Sequence, residues 1–291
     1  MRNIQLIATD MDGTLLNDGR SVSKENVQAI REAQAAGITV AVATGRDYTE
    51  AVLPLKEAGL RLPLICVNGA DLRMEDGNII HQKTLGYDQF ELMNNILTEE
   101  DIYFEIYTSK GAYTNNEKKG LDLVVDLLLT TGEFSSYSQA MELAEKRFEE
   151  GAVNRTKDYR EVINQPETSL FKLLAFSKDT EKRERAKKRL MSGMDVSVSA
   201  SAKDNLEITH LDATKGKGIE IMSDYFNVGL DETMVIGDNF NDVPMMKTAG
   251  YAVAMGNAES EIKSICDHVT KNNTEHGVAH AVRSIIPNYQ K

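Results

Sequence analysis

The sequence is short of several features that would mark whole classes of protein. Only two cysteines stand among 291 residues, Cys66 and Cys266, each inside an apolar segment and without CxxC spacing. That excludes a disulfide scaffold or a thiolate metal site and points to two buried free thiols in a reducing, cytoplasmic compartment. No apolar run approaches the roughly 20 residues of a membrane span, and the short polar start Met1-Arg2-Asn3 leads straight into a strand pattern. Positive charge is scarce as well: 33 Lys and Arg against 45 Asp and Glu give a net charge of -12. A nucleic-acid backbone or an anionic membrane is therefore excluded as the main partner, whereas a small anionic ligand in a locally positive cleft is not. The one basic run, residues 181–189, is broken by acids and carries no interleaved aromatic, so it reads as a solvated helix face.

What is present is a strand–helix alternation that stops and later resumes. At 291 residues the chain has room for two domains. The apolar run at 4–8 is a short strand, and Ser21 or Ser23 can cap a helix in which Val27, Ile30 and Ala33 recur at helical spacing before Gly37. Strand 38–43, a helix ending near Gly59 and strand 62–67 follow, with EDGN at 75–78 as a hairpin turn. Continuous apolar strands separated by helices predict a parallel sheet covered on both faces. From about residue 85 to 209 the pattern is mixed α+β, with strands at 102–108, 170–176, 196–200 and 206–210. After residue 210 the first pattern returns. The expected architecture is an α/β, Rossmann-like parallel-sheet core formed by 1–84 and 210–291, interrupted by an α+β cap domain over 85–209.

Four polar turns leave the carboxyl ends of the predicted core strands, where open parallel sheets bind ligands. They are DMDGT after the first strand, TGR after the second, Asn68-Gly69 after the third and GDNFND after the strand 233–237. If that last strand lies beside the first, Asp10, Asp12, Asp238 and Asp242 converge, and their repulsion calls for a cation among them. Oxygen donors without His or Cys select a hard ion, Mg²⁺ first. Thr44, Lys215 and Asn241 supply donors of the kind that phosphoryl transfer requires, namely positioning and neutralisation of charge. Each motif alone has a plainer reading: a D-x-D can be a turn, a lone Lys usually faces solvent, and GDNFND can be loop chemistry. Together, in this order, they point to a phosphoryl-transfer site. His276 and His280 sit four apart on a predicted last helix without a third ligand, and read as packing or surface residues.

DMDGTLL, ATGR, the lysine of TKGKG and GDNFND resemble the four motifs of the haloacid dehalogenase superfamily phosphatases. The large insertion between the second and third motifs, together with Asn68-Gly69 and the AMGNA and EHGVA segments, resembles the Cof-type subfamily with its α/β cap. The resemblance covers essentially the whole chain and implies a Mg²⁺-dependent phosphatase of small phosphate monoesters, either sugar phosphates or pyridoxal phosphate- and FMN-like compounds. It implies Asp10 as the nucleophile that forms an aspartyl-phosphate. Asp12 is implied as general acid/base, and its backbone carbonyl as a metal ligand. Asp238 is implied as the second metal carboxylate, with Asp242 beside it, and Met11, Thr44, Gly45, Lys215 and Asn241 as phosphate contacts. The chemistry agrees: a carboxylate is already anionic near pH 7 and needs no base to attack. A phosphomutase and, further off, a receiver-like phospho-Asp switch are the alternatives. The expected partner is a small phosphorylated metabolite, with no nucleic acid and no membrane.

Overall fold

The computed structural model describes residues 3–130, 136–149, 153–200 and 204–286. Along the chain, β1 (Leu6–Thr9), α1 (Lys24–Ala35), β2 (Thr39–Ala43), α2 (Tyr48–Glu57) and β3 (Leu64–Cys66) alternate, and the hairpin β4 (Asp71–Arg73) and β5 (Ile79–Gln82) follows. The next stretch holds α3 (Tyr87–Glu99), β6 (Tyr103–Thr108), β7 (Gly111–Thr114), α4 (Glu117–Thr130), α5 (Tyr137–Glu149), β8 (Asn154–Arg155) and α6 (Tyr159–Ile163). It continues with β9 (Leu170–Phe176), α7 (Thr180–Leu190), β10 (Val196–Ser199) and β11 (Asn205–His210). The alternation then resumes as α8 (Lys215–Phe226), β12 (Thr233–Gly237), α9 (Val243–Thr248), β13 (Tyr251–Ala254), α10 (Ser260–Ser264), β14 (His268–Val269) and α11 (Gly277–Ile285). Two compact units result, Met1–Lys83 with Asp212–Lys291, and Thr84–Leu211.

The first unit is built on an eight-stranded sheet in the order β14-β13-β12-β1-β2-β3-β4-β5. β1 pairs in parallel with β2 on one side and β12 on the other, so the first strand becomes central. The antiparallel pairings are β3–β4 and β4–β5, so β4 alone runs against the other strands, and β4 and β5 form the hairpin that the turn signal predicts. All four residues of β1 and all five of β12 are buried, as continuous apolar strands require when both sheet faces are covered. Ser23 starts α1 by accepting the N–H of Asn26, and Ile30 and Ala33 face inward with no exposed surface. Asn26 is buried too, donating to the Leu15 carbonyl and accepting from the Ala279 N–H, which ties α1 to α11.

The second unit carries a six-stranded sheet, β10-β11-β9-β6-β7-β8. On one face Phe104, Ile106, Leu173, Ala175, Leu206 and Ile208 pack against Phe90, Met93 and Leu97 of α3 and Ala186 and Leu190 of α7. The basic run lies on α7, where Arg185 and Arg189 pair with Glu100 and Glu99, while Arg183 is buried against the Ser177 carbonyl. That face is therefore paired as well as solvated. Strands β7 and β8 and helices α5 and α6 went unread in the sequence, because β8 is two residues long and β7 is four residues beginning with glycine. The histidine pair also differs from its expected placement: His276 precedes α11 in a left-handed conformation, its Nδ1 3.0 Å from Ser23 Oγ, so only His280 is on the helix. No helix among the described residues is long and apolar enough to cross a membrane.

Candidate active site

The central position of β1 brings its end beside that of β12. Asp10 continues the β1 line, its N–H donating to the Ile236 carbonyl at 2.8 Å, and it keeps only 5% exposure. The chain then turns sharply through Met11–Leu15, with Gly13 at φ +76. A Cβ there would stand 2.5 Å from an Asp238 carboxylate oxygen, so glycine is what lets the two loops approach. Thr14 closes the same contact by donating from its hydroxyl to Asp238 Oδ1 at 2.7 Å. From β12, the loop after Gly237 returns Asp242 into the interior with no exposed surface. One oxygen of Asp242 accepts the N–H groups of Asp238 and Asn239, at 2.9 and 3.0 Å, and so shapes that loop.

Lys215 opens α8, just after its cap Thr214, and is fully buried. A cation at the positive end of a helix is disfavoured by the macrodipole and by lost hydration. Two carboxylates offset this: Nζ donates to Asp10 Oδ1 at 2.5 Å and to Asp242 Oδ1 at 2.6 Å. Burial works to lower the pKa of Lys215, but Asp10 and Asp242 outweigh it, so the ammonium holds its proton more tightly than usual. Burial raises Asp10 well above the ordinary carboxylate range; Lys215 opposes that, and Asp242 and Asp238 add to it. Asp238 is pushed up to about 6, chiefly by burial, with Thr14 acting against the shift.

Asp10, Asp238 and Asp242 each offer an oxygen within 4.8 Å of the others. Three carboxylates against one ammonium leave two formal negative charges, the complement of a divalent cation. With oxygen donors only, the set fits a hard metal ion. The fourth expected carboxylate, Asp12, does not join this group. It is turned outward, with 56% of its side chain exposed, and takes a two-point contact from Arg46, Nε to Oδ2 at 2.8 Å and Nη2 to Oδ1 at 2.5 Å. Asp242 is also more committed than a free ligand would be, since both its oxygens already accept hydrogen bonds.

The remaining predicted residues lie at the neighbouring strand ends. Thr44 is buried just past β2, donating its N–H to the Ile65 carbonyl and accepting the Arg46 N–H on its hydroxyl. A Cβ on Gly45 would lie 3.3 Å from Asn68 Oδ1, and the same oxygen accepts the Asn241 amide at 3.2 Å. Met11 is buried in the turn after Asp10. Sequence reasoning passed over Arg46, Thr14 and the positioning use of Asn68. The signal for Arg46 was present, since the TGR turn after β2 places a guanidinium at the strand end next to the Asp12 turn, where it can make a two-point contact with a carboxylate.

A parallel sheet with acids and one buried lysine gathered at the ends of its central strands defines a phosphoryl-transfer class of α/β hydrolase. The chain matches the model of the haloacid dehalogenase-like hydrolase family over residues 7–282 and belongs to that family. It is 34% identical to Phosphatase YwpJ of Bacillus subtilis (strain 168) over 285 residues, covering 97% of this chain and all of that one. It is 30% identical to 5-amino-6-(5-phospho-D-ribitylamino)uracil phosphatase YwtE of the same organism, across 97% of this chain and 98% of the relative. The solved structure of a haloacid dehalogenase-like hydrolase from B. subtilis superposes with a TM-score of 0.82 at 33% identity, covering 97% of this chain and 100% of that one. The chain is a phosphatase of this family, and the family's metal dependence matches its acid cluster.

Proposed function

We propose that the protein hydrolyses small phosphate monoesters through a phosphorylated Asp10, in a reducing, cytoplasmic setting. The observation that carries this is the Lys215 ammonium bonded to both Asp10 and Asp242 beside Asp238, a fixed and buried charge array at the carboxyl ends of β1 and β12. The Asp10 carboxylate forms a bond to phosphorus while the phosphorus–oxygen bond to the alcohol breaks. Asp12, aimed by Arg46, gives a proton to the departing alkoxide and later takes one from the water that cleaves the acyl phosphate. Thr44, the Asn241 amide and the Met11 and Gly45 N–H groups hold the phosphate oxygens, and Lys215 offsets their charge. Mg²⁺ is the metal of this reading: Asp10, Asp238 and the Asp12 carbonyl would hold it, with Asp242 beside them, and it would neutralise phosphate charge when bound. The inserted unit acts as a cap that selects the alcohol. Sugar phosphates and pyridoxal phosphate- or FMN-like esters are the substrates to examine first, and the compound named for one relative carries a phosphorylated ribityl chain.

The test is a panel of phosphorylated metabolites assayed for released phosphate with Mg²⁺, wild type against Asp10→Asn. Turnover should fall by at least about 10⁴-fold in the variant, as when a nucleophile is removed elsewhere. Brief reaction with labelled ester should place label on Asp10 of the wild type. Label on a serine or histidine, or an Asp10→Asn variant that turns over normally, overturns the reading.

A further inference from the structure

The AMGNA and EHGVA segments supply no group to the charge array at the ends of β1 and β12. AMGNA forms the loop after β13, while EHGVA closes the loop after β14 and opens α11. The two loops are pressed together. Gly256 donates its N–H to the Lys271 carbonyl at 3.0 Å, and a Cβ on it would stand 2.4 Å from Asn272 Oδ1. Gly277 donates its N–H to the Asn272 carbonyl at 3.0 Å, and its own carbonyl accepts the Thr270 hydroxyl at 2.8 Å. Backbone contacts thus brace the two loops into one block.

Two asparagines reach from this block to the turn that follows Asp10. Asn257 donates its amide to the Gly13 carbonyl at 2.8 Å and accepts the Asn273 N–H on its oxygen at 3.0 Å. A carbonyl only accepts and an N–H only donates, so these partners fix which end of the amide faces each. Asn273 donates its own amide to the Leu16 carbonyl at 3.1 Å. The pair therefore grips the Met11–Leu15 turn at its middle and just past its end. The first grip falls where the turn is softest, since Gly13 sits at φ +76 with no side chain to stiffen it. Asp10 depends little on this hold: its N–H is bonded to the Ile236 carbonyl and its carboxylate to Lys215. Asp12 depends on it more. Its exposed carboxylate is steadied by Arg46, and its backbone is one residue from the gripped carbonyl.

We propose that Asn257 and Asn273 are positioning residues that clamp this turn and thereby aim Asp12, the proton donor of the phosphatase reading on which this inference rests. The clamp needs no contact with substrate. It keeps the chain from swivelling at Gly13, and a misplacement of about 1 Å in a reacting group can cost about 10²-fold in rate. The cost depends on the leaving group, because a departing alkoxide needs a proton and p-nitrophenolate does not. Two loops near the far end of the chain thus become part of the site, with Asn257 bonded to a residue 244 positions before it.

Asn257→Asp keeps the shape and the acceptor for the Asn273 N–H but removes the donor to Gly13, whereas Asn257→Ala removes both. In each variant kcat on ribitol 5-phosphate, or on the best alkyl ester of the metabolite panel, should fall about tenfold or more, with a much smaller loss on p-nitrophenyl phosphate and little change in KM. Hydrogen exchange should quicken about tenfold at the Leu15 and Leu16 amides, which donate to the Asp10 and Met11 carbonyls, and stay unchanged in β1 and β12. Asn257 is exposed, so the melting temperature should move by no more than about 2 °C. Equal losses on the two esters, an unchanged kcat on the alkyl ester, or Leu15 and Leu16 amides that exchange no faster than in wild type overturn the clamp. A wild type that hydrolyses neither ester, with those amides still loosened in the variants, would instead count against the phosphatase reading and leave the hold on the turn standing.

Discussion

Replacing Lys215 by methionine would isolate what the buried ammonium does for the fold. Methionine matches the length and flexibility of the stem but carries no charge. The change leaves Asp10 and Asp242, with 5% and 0% exposure, facing each other without the cation that bonds both. Breaking a buried ion pair from one side costs about 3–5 kcal/mol, because the surviving charge stays desolvated. Total stabilities of about 5–15 kcal/mol make that a large fraction. For a unit of this size, roughly 2–4 °C per kcal/mol translates it into a fall in melting temperature of roughly 6–20 °C. The loss should grow with pH. Folded-state carboxyl pKa values raised above the unfolded value mean that the folded state binds more protons, so stability falls as pH rises through the folded values. Asp10 is already raised by burial, and removing Lys215 removes the main influence opposing that rise. Denaturation in EDTA at pH 5 and pH 8 measures both effects, with the exposed Lys217→Met as a control that should shift neither. Saturating divalent cation should restore part of the loss, about 2.7 kcal/mol at a hundredfold excess over its Kd. A metal-free melting temperature indistinguishable from that of Lys217→Met would refute the reasoning.

Three further outcomes follow from the site. Chelation should abolish turnover, and Mg²⁺ affinity measured by calorimetry should fall about tenfold per pH unit once the pH drops below the Asp238 value of about 6, since the ion must displace that proton; affinity flat between pH 4.5 and 7.5 would remove Asp238 from the metal set. Arg46→Met should lower kcat about tenfold or more on alkyl esters but much less on p-nitrophenyl phosphate, whose leaving group needs no proton; equal losses on both would deny that Arg46 acts through Asp12. Gly69→Ala should destabilise by about 1–3 kcal/mol in urea unfolding, because Gly69 has φ +105 and a Cβ there would stand 2.2 Å from the Thr214 carbonyl, one residue before Lys215; an unchanged midpoint would show that the Thr214 backbone yields freely.

The sequence by itself determined the parts of this protein whose signals are local. β1, β2 and β12 are apolar runs bounded by polar turns, Ser21 or Ser23 announces the start of α1, and EDGN closes the β4–β5 hairpin. The chemistry-bearing turns were legible for the same reason, since Asp10, Thr44 and Asp238 each follow the end of such a strand. What periodicity could not supply was strand order, because parallel neighbours are joined by long crossovers and no local signal says which strands pair. The β12–β1 pairing joins residues more than two hundred positions apart, and it alone puts Asp238 and Asp242 beside Asp10. Side-chain direction was equally hidden. Asp12 is two residues from Asp10, yet the sharp turn at Gly13 sends it outward to Arg46, while Lys215 at an unremarkable helix start is buried between two acids. In the inserted unit, the apolar run LFKLLAF showed a strand, but only the pairing of β9 with β6 and β11 set Lys172 against Tyr107 and Glu207. Local sequence fixes the backbone's short-range preferences, whereas the partners of a charge depend on which distant segments burial brings together.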